Sequence, residues 1–319
     1  MPTPTPPQPP ATAPARVAIA GMTGMIGSAL ARSLTADGTA CLALSSSGRP
    51  VDGAEQTLRW PADTHALDAA ATDALSTCNA VVNLAGENIV GRWTAAKKRA
   101  IRTSRIDRTT ALARALADMP ADARPGAFVA CSAIGIYPPS GDAELDEAAP
   151  TTADTFLGDI AQGWEAAANP AADAGIRVVH PRIGIVLAKH GGALKQMLPI
   201  FKLGLGGRLG NGNHYWSWIA IDDLVAALRF LIANPSVAGP VNLTAPSPAT
   251  NRDFTAALGR VLGRPAVFPV PAFAVRLAFN GLGDEELLAS RRVVPRRLLD
   301  AGFAFNHPEL TPALHHLLR

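Results

Sequence analysis

The sequence predicts a doubly wound α/β fold, a Rossmann-like parallel sheet with a smaller C-terminal lobe, and three observations carry that expectation. Apolar runs of strand length alternate with segments of helical period through the first half of the chain, the pattern of βαβ units on a parallel sheet. A glycine triplet, Gly21-Met-Thr-Gly24-Met-Ile-Gly27, falls between the first such strand and the first such helix, where a phosphate-cradling turn belongs. The 319 residues, 48% of them hydrophobic, are enough for one large packed domain or two modest ones.

Taken in order, residues 1–15 are mostly Pro, Thr and Ala with no basic start and no apolar stretch. They read as a disordered tail and not as a signal or transit peptide. Residues 16–20 form the first strand, and 25–36 a helix with Ile26, Leu30 and Leu34 on one side. A second strand at 41–44 closes on Ser45-Ser46-Ser47-Gly48, a third lies around Leu58-Arg59-Trp60, a helix follows at 66–75, and a buried strand at 80–85 ends at Gly86. The long helix 94–119, with Ile101, Leu112 and Leu116 turned inward, leads to the strand 127–132. After a Pro/Gly/acidic loop at 138–150 come a helix through Trp164-Glu165, a strand at 176–180 and a crossover at 181–187.

The dinucleotide-binding domain is therefore expected over 16–187, with some later segments returning to it, and the smaller substrate lobe over 188–319, its end formed by 265–319. That lobe reads as Gly-rich loops at 204–212, a Tyr215-Trp216-Ser-Trp218 segment, and a helix at 222–234 with Asp222-Asp223 as its cap. A strand at 241–244, a helix at 252–262, a basic helix, a strand at 302–305 and a terminal helix bearing His315-His316 complete it. Trp216 and Trp218 fit aromatic core packing better than a cleft lining, and His180 fits a core or hydrogen-bonded place in its strand.

A formal charge of +3, with Lys and Arg scattered apart from Lys97-Lys98-Arg99 and Arg291-Arg292, argues against a nucleic-acid partner. Every apolar run is interrupted by Arg, Asp, Pro or Gly, which argues against a membrane span. Cys41, Cys78 and Cys131 are far apart and form no CxxC pair, so no metal site is expected and reduced, structural thiols in a cytoplasmic protein are. The expected partner is a small-molecule substrate, with a homodimer as the candidate assembly.

The glycine loop carries the first chemistry. Gly21 permits the sharp exit from the strand, Gly24 lets backbone approach a pyrophosphate, and Gly27 lets helix and sheet close up. Free N–H groups and the positive dipole end of the helix then face the anion, which makes Gly21, Thr23, Gly24, Met25, Ile26 and Gly27 candidate cofactor contacts. An NAD site usually has an acidic residue at the end of the second strand. Here Ser45 and Ser46 stand there, followed by Arg49, and hydroxyls with a guanidinium suit the 2′-phosphate of NADP(H).

The GxxGxxG spacing, the Asn83-Leu-Ala-Gly86 strand end and Ser132 closing the next strand together resemble the extended short-chain dehydrogenase/reductase superfamily. Asn83-Leu-Ala-Gly-Glu-Asn-Ile89, Arg92-Trp93, Ser104-Arg105, Trp164-Glu-Ala-Ala-Ala168, Trp218-Ile-Ala-Ile-Asp222 and Val294-Pro-Arg-Arg-Leu298 look like its nucleoside-diphosphate-sugar epimerase subgroup with a distinctive C-terminal domain. What this resemblance implies is an NADP(H)-binding fold, with Leu84, Ala85 and Gly86 beside the cofactor and Arg105 as a charged contact. Arg182, on the crossover, is a further candidate contact.

The resemblance also implies a Tyr with a Lys four residues later as the acid–base pair, and here the chain departs from it. Tyr137 is followed at that distance by Gly141 and Tyr215 by Ile219. If Glu165 marks the usual acidic position, Leu157 and Ala161 occupy the Tyr and Lys places. Ser132 is left as the candidate catalytic residue. Two readings stay open: hydride transfer on a sugar-nucleotide or other small polar carbonyl or alcohol, and a cofactor-binding sensor or scaffold without catalysis.

Overall fold

In the computed structural model, which describes residues 16–63 and 65–319, the chain winds a parallel sheet and then builds a smaller lobe against one end of it. The tail read at 1–15 lies outside the described residues. Seven strands form the sheet: β1 Arg16–Ala20, β2 Ala40–Ser45, β3 Gln56–Arg59, β4 Ala80–Asn83, β5 Ala127–Ala130, β6 Arg177–Ile183 and β7 Gly239–Leu243. Their order is β3-β2-β1-β4-β5-β6-β7, every pairing is parallel, and a short strand at Ser132–Ala133 also pairs with β6. The order reverses at β1, which has β2 on one side and β4 on the other, and crevices open at such switch points.

Strict alternation fills both faces, because successive side chains of a strand point to opposite sides. Val17 and Ile19 join one core with Leu30 and Leu34 of α1 (Met25–Ala36), while Ala18 and Ala20 join another with Leu75 of α2 (Ala69–Ser76) and Leu112 and Leu116 of α3 (Ala95–Ala117). Ile101, Leu112 and Leu116 are all buried, as their spacing requires. Next come α4 (Phe156–Ala166), α5 (Gly192–Lys202) and α6 (Ile221–Ala233), and the last of these packs beside α1 on the first face. The chain then adds β7 to the sheet edge, so a strand from beyond residue 188 completes the first domain.

The lobe has its own core. Leu194, Leu198 and Phe201 of α5, Trp216, Trp218, and Phe254 and Leu258 of α7 (Asn251–Leu262) meet Ala313, Leu314 and Leu317 of the terminal helix. Helix α8 (Ala272–Phe279) precedes that terminal helix, α9 (Leu310–Leu318). Trp216 and Trp218 are thus core residues, and Trp218 fixes its indole by donating to the Ser247 carbonyl at 3.1 Å. Cys41, Cys78 and Cys131 are free and buried, and burial pushes the thiols of Cys41 and Cys78 up to about 11, leaving them neutral and unreactive. Among the described residues no helix is long and apolar enough to cross a membrane.

Two expectations are corrected. Residues 302–305 form no strand: Gly302 turns at φ 82°, and Phe303 and Phe305 stack edge-on with each other and, through Phe303, with Phe230 at 5.5 Å. Alternating aromatics here serve a hydrophobic cluster and no ladder. Asp222 and Asp223 do not cap α6, which begins after Ala220 with no side-chain cap. Asp223 is completely buried and accepts the backbone N–H groups of Asn306 and His307 at 2.8 and 2.9 Å, fastening the C-terminal segment to the sheet domain.

Truncating that carboxylate leaves two backbone donors without an acceptor. Asp223→Ala should lower the unfolding free energy by about 2–4 kcal/mol, since an orphaned buried donor costs about 1–3 kcal/mol. Urea unfolding of the two proteins checks it.

Candidate functional site

The site begins with three side chains that are missing. At the end of β1, Gly21 turns at φ 81°, and a Cβ there would meet the Leu84 carbonyl group and the Ala85 nitrogen at 2.9 Å. A Cβ on Gly27 would lie 2.2 Å from the Gly21 carbonyl oxygen, so α1 can start only where that side chain is absent. Gly24 donates to the Gly21 carbonyl at 2.9 Å and is the N-cap of α1 in extended conformation, with no side-chain cap bond and no acidic residue in the first turn. The first N–H bonded inside the helix is that of Ser28 to the Gly24 carbonyl. A helix dipole end and unclaimed N–H groups therefore face outward from Met25, Ile26 and Gly27, the arrangement that binds phosphate.

Register sets what surrounds this loop. Ala20 pairs with Leu44 on one side and Asn83 on the other, and Asn83 pairs with Ala130. The C-terminal ends of β2, β1, β4 and β5 thus stand in one row, and the residues after each strand share one edge of the sheet. β2 ends at Ser45 and is followed by Ser46; the Ser45 and Ser47 hydroxyls lie 3.2 Å apart and Arg49 extends into solvent. Arg59, in register with Ser45 at the end of β3, lies alongside Gly48 and is also exposed. Only strand register brings Arg59 to the serine loop, so the linear sequence gave little sign of it.

After β4, Leu84 donates to the Ala20 carbonyl at 2.9 Å, and the Asn83 side chain bridges the Ala85 N–H and Thr109. At Gly86 a Cβ would lie 3.2 Å from the Arg105 guanidinium carbon, so the bare backbone lets that side chain lie close over the strand end. Arg105 donates to the Glu87 carbonyl at 3.0 Å and sits 5.0 Å from the Trp164 ring. Burial pulls it down to about 10, against the pull of Glu87, and it stays cationic at neutral pH. Thr23 is exposed on the glycine loop, and Met25 packs at the place where a Gly191 side chain would stand. That contact brings the start of α5 against the loop, a neighbour signalled in sequence only by the pair Gly191-Gly192.

After β5, Ser132 is 2% exposed and its hydroxyl has no hydrogen-bond partner among the described residues. It pairs in register with Arg182 of β6. Arg182 turns to an internal network: Nε and Nη2 donate to the two Glu165 carboxylate oxygens at 2.8 and 2.9 Å, and Nη1 donates to the Tyr137 hydroxyl at 2.8 Å. That hydroxyl donates in turn to Asn242 Oδ1 at 2.8 Å. Burial raises the Tyr137 phenol above its usual range, which keeps it neutral. His180, its ring 3.3 Å from the Ala130 carbonyl, is shifted downward by burial and is also neutral near pH 7. Leu157 and Ala161 are buried on α4, Leu157 in contact range of Gly135, and neither side chain can transfer a proton; Glu165, one turn further on, is held by Arg182. A separate, open pocket of about 400 Å³ is lined by Asp142, Asn211, Asn213, His214, Arg276 and Ser290 among others.

The Arg182–Glu165 pair is nearly sealed, with side-chain exposures of 6% and 16%. Glu165→Ala should lower stability by about 3–5 kcal/mol, because it leaves a buried guanidinium without its counter-charge. Thermal and denaturant unfolding measure the loss.

Comparison with known proteins follows the same lines. The family model described as NAD dependent epimerase/dehydratase family matches residues 17–243, and a domain of unknown function, DUF1731, matches 270–317. An epimerase family protein of Mycobacterium bovis is 42% identical over 299 residues, covering 93% of this chain and 96% of that one. A chloroplastic homologue of epimerase family protein SDR39U1 from Arabidopsis thaliana is 36% identical, covering 95% and 86%. The crystal structure of human epimerase family protein SDR39U1 with NADPH superposes with a TM-score of 0.85 at 36% identity, covering 95% of this chain and 98% of that one. From its glycine loop to its C-terminal helix, this chain belongs to the NAD dependent epimerase/dehydratase family, in the branch that carries the DUF1731 domain.

Proposed function

We propose that the protein binds NADP(H) along the C-terminal edge of β2, β1, β4 and β5, and uses it for hydride transfer on a sugar-nucleotide or other small polar carbonyl or alcohol. The observation that carries this reading is the bare N-terminus of α1, framed by three glycines whose missing side chains leave backbone N–H groups open to a pyrophosphate. Ser45, Ser46, Arg49 and Arg59 offer hydroxyls and two cations at the end of β2 and fit a 2′-phosphate. Leu84, Ala85, Gly86 and Arg105 line the neighbouring strand end. Similarity to a human protein crystallised with NADPH supports the same choice of cofactor.

The nicotinamide, when bound, would supply the hydride. Ser132, buried and with its hydroxyl unused, is the residue that fits orienting a substrate oxygen beside it. Arg182 belongs to this proposal as a positioning residue, since Glu165 and Tyr137 take its donors and it braces the strand that pairs with Ser132. The pocket between Asp142 and the lobe residues Asn213, His214 and Arg276 offers polar and charged groups that a small polar substrate could bond. A cytoplasmic setting is part of the same proposal, resting on the three unpaired thiols.

A second reading, a cofactor-binding sensor or scaffold, is supported by the buried, apolar Leu157 and Ala161, which stand in the Tyr and Lys places of the superfamily if Glu165 marks its usual acidic position. Turnover distinguishes the two. NADPH oxidation against carbonyl substrates should be slow but measurable. Ser132→Ala should reduce it by about a hundredfold, the lower end of acid–base contributions, with NADPH affinity unchanged. Tyr137→Phe should retain the rate, because its hydroxyl is enclosed by Arg182 and Asn242. No turnover on any carbonyl, with tight NADPH binding, would favour the sensor.

Cofactor binding has a sharper test. A Cβ at Gly24 meets only the Gly21 carbonyl oxygen, at 3.2 Å, and the position is an N-cap. Asp is a good capping residue, so Gly24→Asp should keep or slightly raise thermal stability while its carboxylate takes the N–H groups that a pyrophosphate needs. Calorimetry should show NADPH binding tighter than NADH in the parent protein and at least about a hundredfold weaker NADPH binding in the variant, given the repulsion of like charges in a partly desolvated site. Equal NADPH affinity in parent and variant would refute the assignment.

A further inference from the structure

We infer that Asp222, His307 and His316 form a binding site for a divalent transition metal, Zn(II) first, where the C-terminal segment meets the sheet domain. Asp222 lies in the first turn of α6, His307 in the loop after Phe305, and His316 on α9. One ligand atom from each, a carboxylate oxygen and two imidazole nitrogens, all lie within 4.8 Å of one another. Ligands held at about 2.0–2.2 Å around a tetrahedral zinc ion stand roughly 3.5 Å apart, so the cluster has the dimensions of a metal site and would tighten on binding.

The three groups are already gathered at one place, and the two stacked imidazoles would turn out of their stack to bring both lone pairs onto one ion. Asp222 Oδ2 and His316 Nε2 are 3.0 Å apart, and the His307 and His316 rings stack with centroids 4.2 Å apart and planes at 24°. A lone surface pair of Asp222 with His316 contributes little and gives no reason for a second imidazole to be held beside it. The backbone is fixed beneath all three. His307 donates its N–H to the buried Asp223, and α9 is anchored by Ala313, Leu314 and Leu317.

Two imidazoles and one carboxylate match the preference of Zn(II), Co(II) or Ni(II), whereas Mg(II) and Ca(II) favour all-oxygen sites. Asp222 and His316 are about half exposed, which leaves the remaining coordination positions to water. The bound ion would tie α9 to the start of α6 across 94 residues of sequence, and would stabilise the folded chain by mass action. The sequence hides this site because its three members lie in separate segments, outside any short ligand motif.

The test uses the full chain without a polyhistidine tag, stripped of metal and titrated with Zn(II) by calorimetry and with Co(II) by visible absorption, with thermal unfolding in parallel. The expected result is one ion per chain, a raised Tm, and no competition from Mg(II). His307→Ala and His316→Ala should each weaken binding by about tenfold or more and abolish the Tm increase, with His316→Gln as a second variant that keeps side-chain bulk. His315→Ala, one position along α9 and outside the cluster, should keep both. Affinity should also fall on acidification, as protons compete for the imidazoles. No saturable binding by the parent protein, or equal affinity in the His307 and His316 variants, overturns the inference.

Discussion

The fold depends on a close approach of backbone to backbone. Where β1 ends, the turn at Gly21 touches the Leu84-Ala85 peptide after β4, and α1 starts against the carbonyl of that same turn at Gly27. A methyl group at either position would overlap main-chain atoms, which cannot move aside as a flexible side chain can. Because contact is this tight, α1 lies over the switch point of the sheet with its N-terminus directed past the strand ends. The close seat of α1 on the strand ends, and the open N–H groups at its start, follow from side chains that are absent.

A second constraint operates across the sheet, where buried charge is held by a closed network. Arg182, Glu165, Tyr137 and Asn242 join β6, α4, the segment after β5 and β7 through hydrogen bonds of 2.8–2.9 Å. Burying such groups is costly unless each is paired, so the network fixes the relative positions of these elements closely. It also determines what the phenol can do. Tyr137 is neutral, enclosed and doubly bonded, and so acts as a structural joint. The face of α4 turned toward it offers Leu157 and Ala161, leaving Ser132 as the unengaged polar group at that strand end.

The C-terminal segment is held by two unlike means. Apolar residues of α9 complete the lobe core, and the buried Asp223 carboxylate gathers the N–H groups of Asn306 and His307. Phe303 and Phe305 fill the space between, against Phe230 of α6. This fastening sets the position of His307, and through α9 that of His316, relative to Asp222, so the surface geometry there follows from packing underneath it.

The alternation of strands and helices, the glycine loop and the inward face of α3 were legible in the sequence, because each rests on local rules: side-chain period, tight turns and the absence of Cβ. The family was legible as well, since its motifs are short and contiguous. Whatever depends on partners distant in sequence was decided by tertiary structure alone. Asp223 looked like a cap and became an anchor, because the loop at Asn306-His307 folds back over it. Residues 302–305 alternate as a strand does, yet Phe303 and Phe305 are taken up by aromatic packing with each other and with Phe230, and the segment pairs with no strand. Arg59 reaches the serine loop through register, and Arg182 turns to Glu165 because burial demands a counter-charge close at hand. Local pattern determined which elements form and where backbone could cradle an anion; long-range packing, in which buried charge and donors must find partners, determined which polar side chains were left free to act.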